Sequence, residues 1–181
     1  VQAQSSQTRA ALMTGRYPYR NGALGFEPIR RDVPTLQESL RKAGYLNGIM
    51  AKVTHLAPRD KFQWDFFVPE EKLGHGRDPA AYYQNARAFF LQARNAGRPF
   101  FLMANSQDPH RPFAGAEKNP AADGEEQPLP KNKKKKQKPA IEARANVVYT
   151  PEQIEVPPFL ADLPGVREEL AQYYTSTHRC D

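Results

Sequence analysis

Apolar positions fall in short runs, and two of those runs each follow a stretch of helical periodicity. Thr35-Leu36-Gln37-Glu38 has the form of a capping box, in which a hydroxyl and a carboxylate three residues apart satisfy each other's backbone N–H groups. The helix it opens would carry Leu36, Leu40 and Ala43 on one face and stop at Gly44. Residues 45–50 then read as a short buried strand. The grammar repeats from Asp78-Pro79, a cap followed by proline at the first helical position. Tyr82, Ala86, Phe89, Phe90 and Ala93 form an apolar stripe, Gly97 ends the helix, and residues 99–104 make a second apolar strand. Helices alternating with short apolar strands predict an α/β fold, a mostly parallel sheet flanked by helices. Functional residues of such folds gather beyond the C-terminal ends of the strands, here residues 52–55 and 108–112.

From residue 114 to about 146 the periodicity dissolves. Pro, Gly, Glu and Lys dominate, so this stretch is predicted to be a low-complexity, lysine-rich insertion or loop. Order is expected to return near Val147-Val148-Tyr149. Pro157-Pro158 and Pro164 would bracket an extended link. A last helix is predicted over 164–178, capped by Asp162, with Val166, Leu170 and Tyr173 or Tyr174 facing the core.

Charge changes the picture little. The chain of 181 residues carries +6, and six lysines between Lys131 and Lys138 account for all of it. No aromatic side chains interleave those lysines, which argues against a stacking surface for nucleic acid. A single cysteine, Cys180, excludes an internal disulfide and any multi-cysteine metal site. No run approaches the roughly 18 apolar residues of a membrane span. The first residue is Val1 and the last is Asp181, directly after the predicted helix; the chain reads as a piece of a longer one.

The chemistry concentrates near the N-terminus, in Ser5-Ser6-Gln7-Thr8-Arg9-Ala10-Ala11-Leu12-Met13-Thr14-Gly15-Arg16. Residues 10–13 are good helix formers, and Gly15 suits the left-handed residue that closes a helix. A hydroxyl at the start of such a helix meets unpaired N–H groups and the positive dipole end, a setting for sulfate or phosphate. The plain alternative is that Ser5, Ser6 or Thr8 merely caps the helix. Lys52 and His55 could bind an anion and move a proton; a surface lysine and a loop histidine are the structural reading. His110 lies in Asp108-Pro109-His110-Arg111-Pro112, where two prolines restrict the loop. Arg111 could touch substrate or simply be solvated. His75 and His178 have only structural readings.

This constellation resembles the sulfatase family. Ser5, Arg9 and Thr14-Gly15-Arg16 fall on its signature, a Cys or Ser, then Pro or Ala two residues on, an arginine two further, and a closing Thr-Gly-Arg. Gln7 stands where that signature has Pro or Ala. Tyr17-Pro18-Tyr19-Arg20-Asn21-Gly22, Val33-Pro34-Thr35-Leu36 and Ala43-Gly44-Tyr45 are similar to the family's following segments. A Lys and a His follow its first strand here with two residues between them, and a Pro-His-x-Pro loop follows the next. The Asp-Pro-His-Arg-Pro wording is most like heparan N-sulfatase-like members.

The resemblance implies an alkaline-phosphatase-like core, here incomplete, as a partial catalytic domain over 1–181. It implies hydrolysis of sulfate esters or sulfamates, on carbohydrates, with Ser5 oxidised to formylglycine by a sulfatase-maturating enzyme. It implies that Arg9 holds that group, Lys52 and His110 bind sulfate, His55 takes a proton and His110 assists the leaving group. Ca2+ would bind formylglycine, with its other ligands outside this stretch. These residues alone would then be inactive, fold poorly and expose apolar surface. A periplasmic or extracellular location is the corresponding expectation. Two other readings stay open: a phosphatase or phosphodiesterase using unmodified Ser5 or Thr8, and a non-catalytic binder of sulfated glycans.

Overall fold

The computed structural model describes residues 4–115 and 145–181, which divide between two compact units. The first comprises Val1–Leu73 and Pro79–Asn105; the second comprises Gly74–Asp78 and Ser106–Asp181.

The first unit holds a parallel sheet of three strands, β1 (Leu46–Met50), β2 (Phe66–Val68) and β3 (Phe100–Ala104), in the order β2-β1-β3. The α/β expectation holds, and β1 and β3 lie where the apolar runs put them. Every residue of β1 is buried, as befits a central strand covered on both faces. Helix α1 (Ser5–Thr14) covers one face: Ala10 and Met13 pack with Ile49, Leu56 and Phe62. Helix α4 (Pro79–Asn95) covers the other, where Phe89 and Ala93 meet Leu46, and Tyr82 and Ala86 lie against Met50, Val68 and Leu73. The short α2 (Pro18–Asn21) and α3 (Leu36–Lys42) complete the unit.

Glycine at the middle of β1 has a steric cause. A Cβ on Gly48 would lie 2.7 Å from Phe89 Cε2 and 3.0 Å from Leu102 Cδ1. Phe89 is fully buried and has nowhere to retreat. Gly48→Ala is therefore expected to destabilise the full-length protein by about 1–3 kcal/mol, an overpacking cost readable as a lower urea midpoint.

The capping box is present on both sides. Thr35 Oγ1 accepts from the Glu38 N–H at 3.1 Å, and Glu38 Oε2 accepts from the Thr35 N–H at 2.8 Å. Burial alone would raise the Glu38 carboxyl, but hydrogen bonds from Lys61 and Thr35 outweigh it and hold the group below its ordinary value. A carboxyl depressed on folding contributes stability above its unfolded pKa of about 4.5 and loses it as pH falls through the lower folded value. Melting of Glu38→Gln should thus fall below wild type at neutral pH by about 0.5 kcal/mol, because glutamine keeps the acceptor for the Thr35 N–H but loses the charge that meets Lys61, and converge with it as the medium is acidified.

In the second unit α5 (Pro164–Cys180) matches the predicted helix, with two corrections. Its N-cap is Leu163, without a side-chain cap bond; Asp162 instead pairs with Arg167, 2.5 Å from Nε. Its buried face is Ala171, Thr175 and Ser176, whereas Tyr173 is exposed and Val166, Leu170 and Tyr174 are half-buried. The hydroxyls explain the shift of face: Ser176 Oγ accepts from the Ala114 N–H at 2.7 Å and Thr175 Oγ1 from the Tyr149 N–H at 3.0 Å. Similar corrections apply in the first unit. Leu36 and Phe90 are exposed, and the buried residue of α3 is Gln37, whose amide donates to the Gln63 carbonyl. Val147 and Val148 are exposed and lie in no helix or strand. Of the predicted insertion, positions 116–144 lie outside the described residues.

Candidate active site

Ser5 opens α1, after Gln4 at the N-cap, and no side chain caps this helix. The capping role for Ser5, Ser6 or Thr8 is therefore not realised. Gly15 closes the helix at φ +63°, with its N–H on the Ala11 carbonyl. Ser5 and Arg9 are one turn apart on one face, which lets the arginine fold back along the helix. Its Nη1 donates to the Ser5 hydroxyl and, at 3.2 Å, to the Ser5 carbonyl.

His55 reaches the same hydroxyl, with Nδ1 2.9 Å from Ser5 Oγ. The hydroxyl accepts from Arg9 and still has its hydrogen and a second lone pair, so it can meet Nδ1 of either imidazole tautomer. His55 arrives on a single 3₁₀ turn (Val53–His55) directly beyond β1. The chain turns into it through Ala51 at φ 56° and Lys52 at φ 54°, two adjacent left-handed residues of a kind that concentrates at functional sites. Ser6 Oγ donates to the His55 carbonyl at 3.2 Å and pins the turn to α1. Lys52, half-buried, borders a cavity of about 470 Å3 with Arg59, Trp64 and Glu70.

One further residue escaped the sequence reading. Asn105, just past β3, is 7% exposed, and its Oδ1 accepts from both Nε and Nη2 of Arg9 at 3.2 Å. Burial pushes the Arg9 guanidinium below its ordinary value, yet arginine stays protonated at any working pH. A polar residue ending an apolar strand was the only sequence signal for Asn105.

His110 and Arg111 belong to the second unit. Both bonds flanking them, Asp108–Pro109 and Arg111–Pro112, are cis. His110 is exposed, with Nδ1 2.7 Å from the Arg111 carbonyl oxygen. Arg111 pairs with Glu169 and stacks over Phe113, 4.7 Å from the ring centroid. Beneath them Asp108, 1% exposed at its side chain, accepts from Arg77 Nε at 2.8 Å and Arg179 Nε at 2.6 Å. Arg77 Nη2 also donates to the carbonyls of His110 and Pro112, at 3.1 and 3.3 Å, and so clamps the loop. His75 is an exposed loop residue at φ 54°, and His178 packs edge-on against Tyr149, as their structural readings imply.

Among the described residues no cluster of three or more His, Cys, Asp or Glu side chains could hold a metal ion. Ser5 could supply one oxygen donor to a cation. No helix among them is long and apolar enough to cross a membrane.

A hydroxyl held between an imidazole and a guanidinium, at the start of a helix packed on a parallel sheet, is an arrangement in an α/β protein that can present an oxygen to an anionic group. The sulfatase family matches residues 1–181, and the chain belongs to that family. It is 30% identical over 136 residues to the ulvan-active sulfatase of Formosa agariphila, covering 74% of this chain and 26% of that protein. It is 30% identical over 194 residues to the N-sulphoglucosamine sulphohydrolase of Homo sapiens, covering 97% of this chain and 35% of that protein. The chain therefore spans about a quarter to a third of these relatives' lengths.

Proposed function

We propose that the protein containing this chain hydrolyses sulfate esters or sulfamates on carbohydrates, with Ser5 as the reacting position. The observation that carries this reading is the convergence of Arg9 Nη1 and His55 Nδ1 on the Ser5 hydroxyl. The names of the two relatives, one acting on ulvan and one on N-sulphoglucosamine, support a sulfated glycan as substrate.

Oxidation of Ser5 to formylglycine, with two hydrogens passing to a maturating enzyme's acceptor, supplies a hydrate that expels sulfate by collapsing to the aldehyde, where plain serine would stay sulfated. Around that position Arg9 holds the reacting oxygen, and its charge offsets the negative charge that develops on it. His55, one hydrogen bond away, takes the proton released there. Lys52 and His110 bind sulfate oxygens, and His110 gives a proton to the leaving oxygen or nitrogen. Arg111 contacts substrate through donors that its pair with Glu169 leaves open, since a guanidinium carries five. Ca2+, implied by the family, would take most of its ligands from other residues of the protein. An exported location, periplasmic or extracellular, goes with this reading.

Gln7 favours a second reading, in which unmodified Ser5 accepts a phosphoryl group with His55 as base. It is buried at the position where the maturation motif has Pro or Ala, and its amide nitrogen donates to the Leu24 carbonyl at 2.5 Å. Thr8 as that nucleophile and a non-catalytic glycan binder are further outcomes. Peptide mass mapping of the full-length protein, co-expressed with a serine-type maturating enzyme, tests the formylglycine reading against all of these. Loss of two hydrogens at Ser5, with trapping by a hydrazine probe, is the expected result. An intact Ser5, where a control sulfatase is converted, would move the assignment to phosphoryl transfer or binding.

A further inference from the structure

We propose that Asn105 is a positioning residue for the Ser5 centre, one that aims the Arg9 guanidinium at Ser5 without neutralising its charge. This rests on reading Ser5 as the reacting group. Five contacts lock the asparagine. Its Nδ2 donates to the carbonyls of Met50 at 3.0 Å, Met103 at 3.3 Å and Ala51 at 3.4 Å. Its backbone N–H donates to the Met50 carbonyl at 3.1 Å, one step beyond the β1–β3 ladder. The Tyr82 hydroxyl, from α4, donates to its backbone carbonyl.

Three carbonyl oxygens around one end of the amide admit only the NH2 there, so Oδ1 has to face Arg9. The guanidinium is then held along one edge by Asn105, through Nε and Nη2, and along another by Ser5, through Nη1. Asn105 in turn hangs on carbonyls at the ends of β1 and β3, so the guanidinium is tied both to the sheet and to α1. Side chains that place a charge on a reacting atom gain their effect from this kind of support.

The choice of an amide matters. A carboxylate would hold a guanidinium more strongly, but it would cancel the charge that an anionic substrate has to meet. It would also turn an acceptor toward three carbonyls. Arg9's partners among the described residues are a serine and an amide, and none is a carboxylate. The contrast with Asp108, which meets two arginines in the second unit, shows what a structural guanidinium site looks like in the same chain.

Two readouts on the full-length protein test this. The first is a double-mutant cycle on hydrolysis of 4-nitrophenyl sulfate. Asn105→Ala should lower kcat about 10–100-fold with a smaller change in KM, the scale of a misplaced catalytic group. In an Arg9→Ala background the same change should cost less than about 3-fold, because the two residues act as one unit. Full additivity would overturn the role. Asn105→Asp, which cancels the Arg9 charge and turns an acceptor toward three carbonyls, should raise KM for the anionic probe about 10-fold; an unchanged KM would overturn the charge argument.

The second readout needs no turnover. In arginine-labelled protein the Arg9 Nε–H should exchange slowly with solvent in wild type and in Ser5→Ala, and rapidly in Asn105→Ala. Unchanged protection in Asn105→Ala would overturn the proposal whatever the activity. A wild-type protein that turns over no sulfate ester, yet protects Arg9 only when Asn105 is present, would sink the sulfatase reading and leave the positioning role standing.

Discussion

Ser5→Ala in the full-length protein is expected to abolish sulfate-ester turnover, a loss on the order of 10⁴-fold or more, the scale of removing the proposed covalent nucleophile. The reason is local. The Ser5 hydroxyl is the one atom on which Arg9 Nη1 and His55 Nδ1 converge, and alanine removes it while leaving both partners in place. Stability should barely change, because Ser5 is exposed and caps nothing. Its neighbour provides the control. Ser6 is buried and donates to the His55 carbonyl at 3.2 Å, so Ser6→Ala should cost about 1 kcal/mol of stability and less than about 10-fold in rate. Thr8→Ala should leave the rate close to wild type if Ser5 is the nucleophile. Initial rates with 4-nitrophenyl sulfate, taken with thermal melts, separate the three variants. If Ser5→Ala retains turnover and Thr8→Ala loses it, the nucleophile is Thr8 and the geometry at Ser5 serves binding.

Much of this centre was legible before any coordinates, and the reasons are physical. Ser5 and Arg9 are four apart, so a helix has to bring them to one face. Residues 10–13 and Gly15 specify that helix and its end. The capping box at Thr35 and the apolar runs of β1 and β3 are short-range signals, and all three hold. His55 follows β1 by a few residues, so the strand places it near Ser5.

What escaped the sequence depends on contacts between distant residues. Asn105 takes its role from carbonyls some fifty residues upstream, and no local pattern encodes that. Periodicity tells which side chains share a face but not what covers the face. Leu36, Phe90 and Tyr173 are therefore more exposed than their apolar stripes suggested, while Gln37 and Ser176 are buried with hydrogen bonds. Strand β2, at Phe66–Val68, is too short to show alternation. Asp162 lies one residue before the N-cap position, and its carboxylate pairs with Arg167, five residues on.

Asp108→Ala is expected to carry the largest stability cost of any single change in the second unit, about 3–5 kcal/mol. Asp108 is all but inaccessible, and the two arginines on it expose only 18% and 10% of their side chains. Bringing three charged groups out of water is costly, and here the geometry offsets it. Asp108 Oδ1 accepts from Arg77 Nε and from Arg179 Nη2, and Oδ2 accepts from Arg179 Nε. Removing the carboxylate leaves two guanidiniums close together, poorly hydrated and mutually repulsive. Asp108→Asn keeps the volume but still loses the countercharge, so it too should destabilise, though less. Urea unfolding of the full-length protein measures both. If His110 acts on substrate as proposed, the loss should also appear in catalysis, because Arg77, held by Asp108, donates to the carbonyls of His110 and Pro112 and so clamps its loop. Folded Asp108→Asn should therefore lose rate as well as stability, and Arg77→Ala should share the rate loss. An Asp108→Ala protein within about 1 kcal/mol of wild type would mean that the arginines find water or other partners. The His110 loop would then owe its shape to its prolines alone.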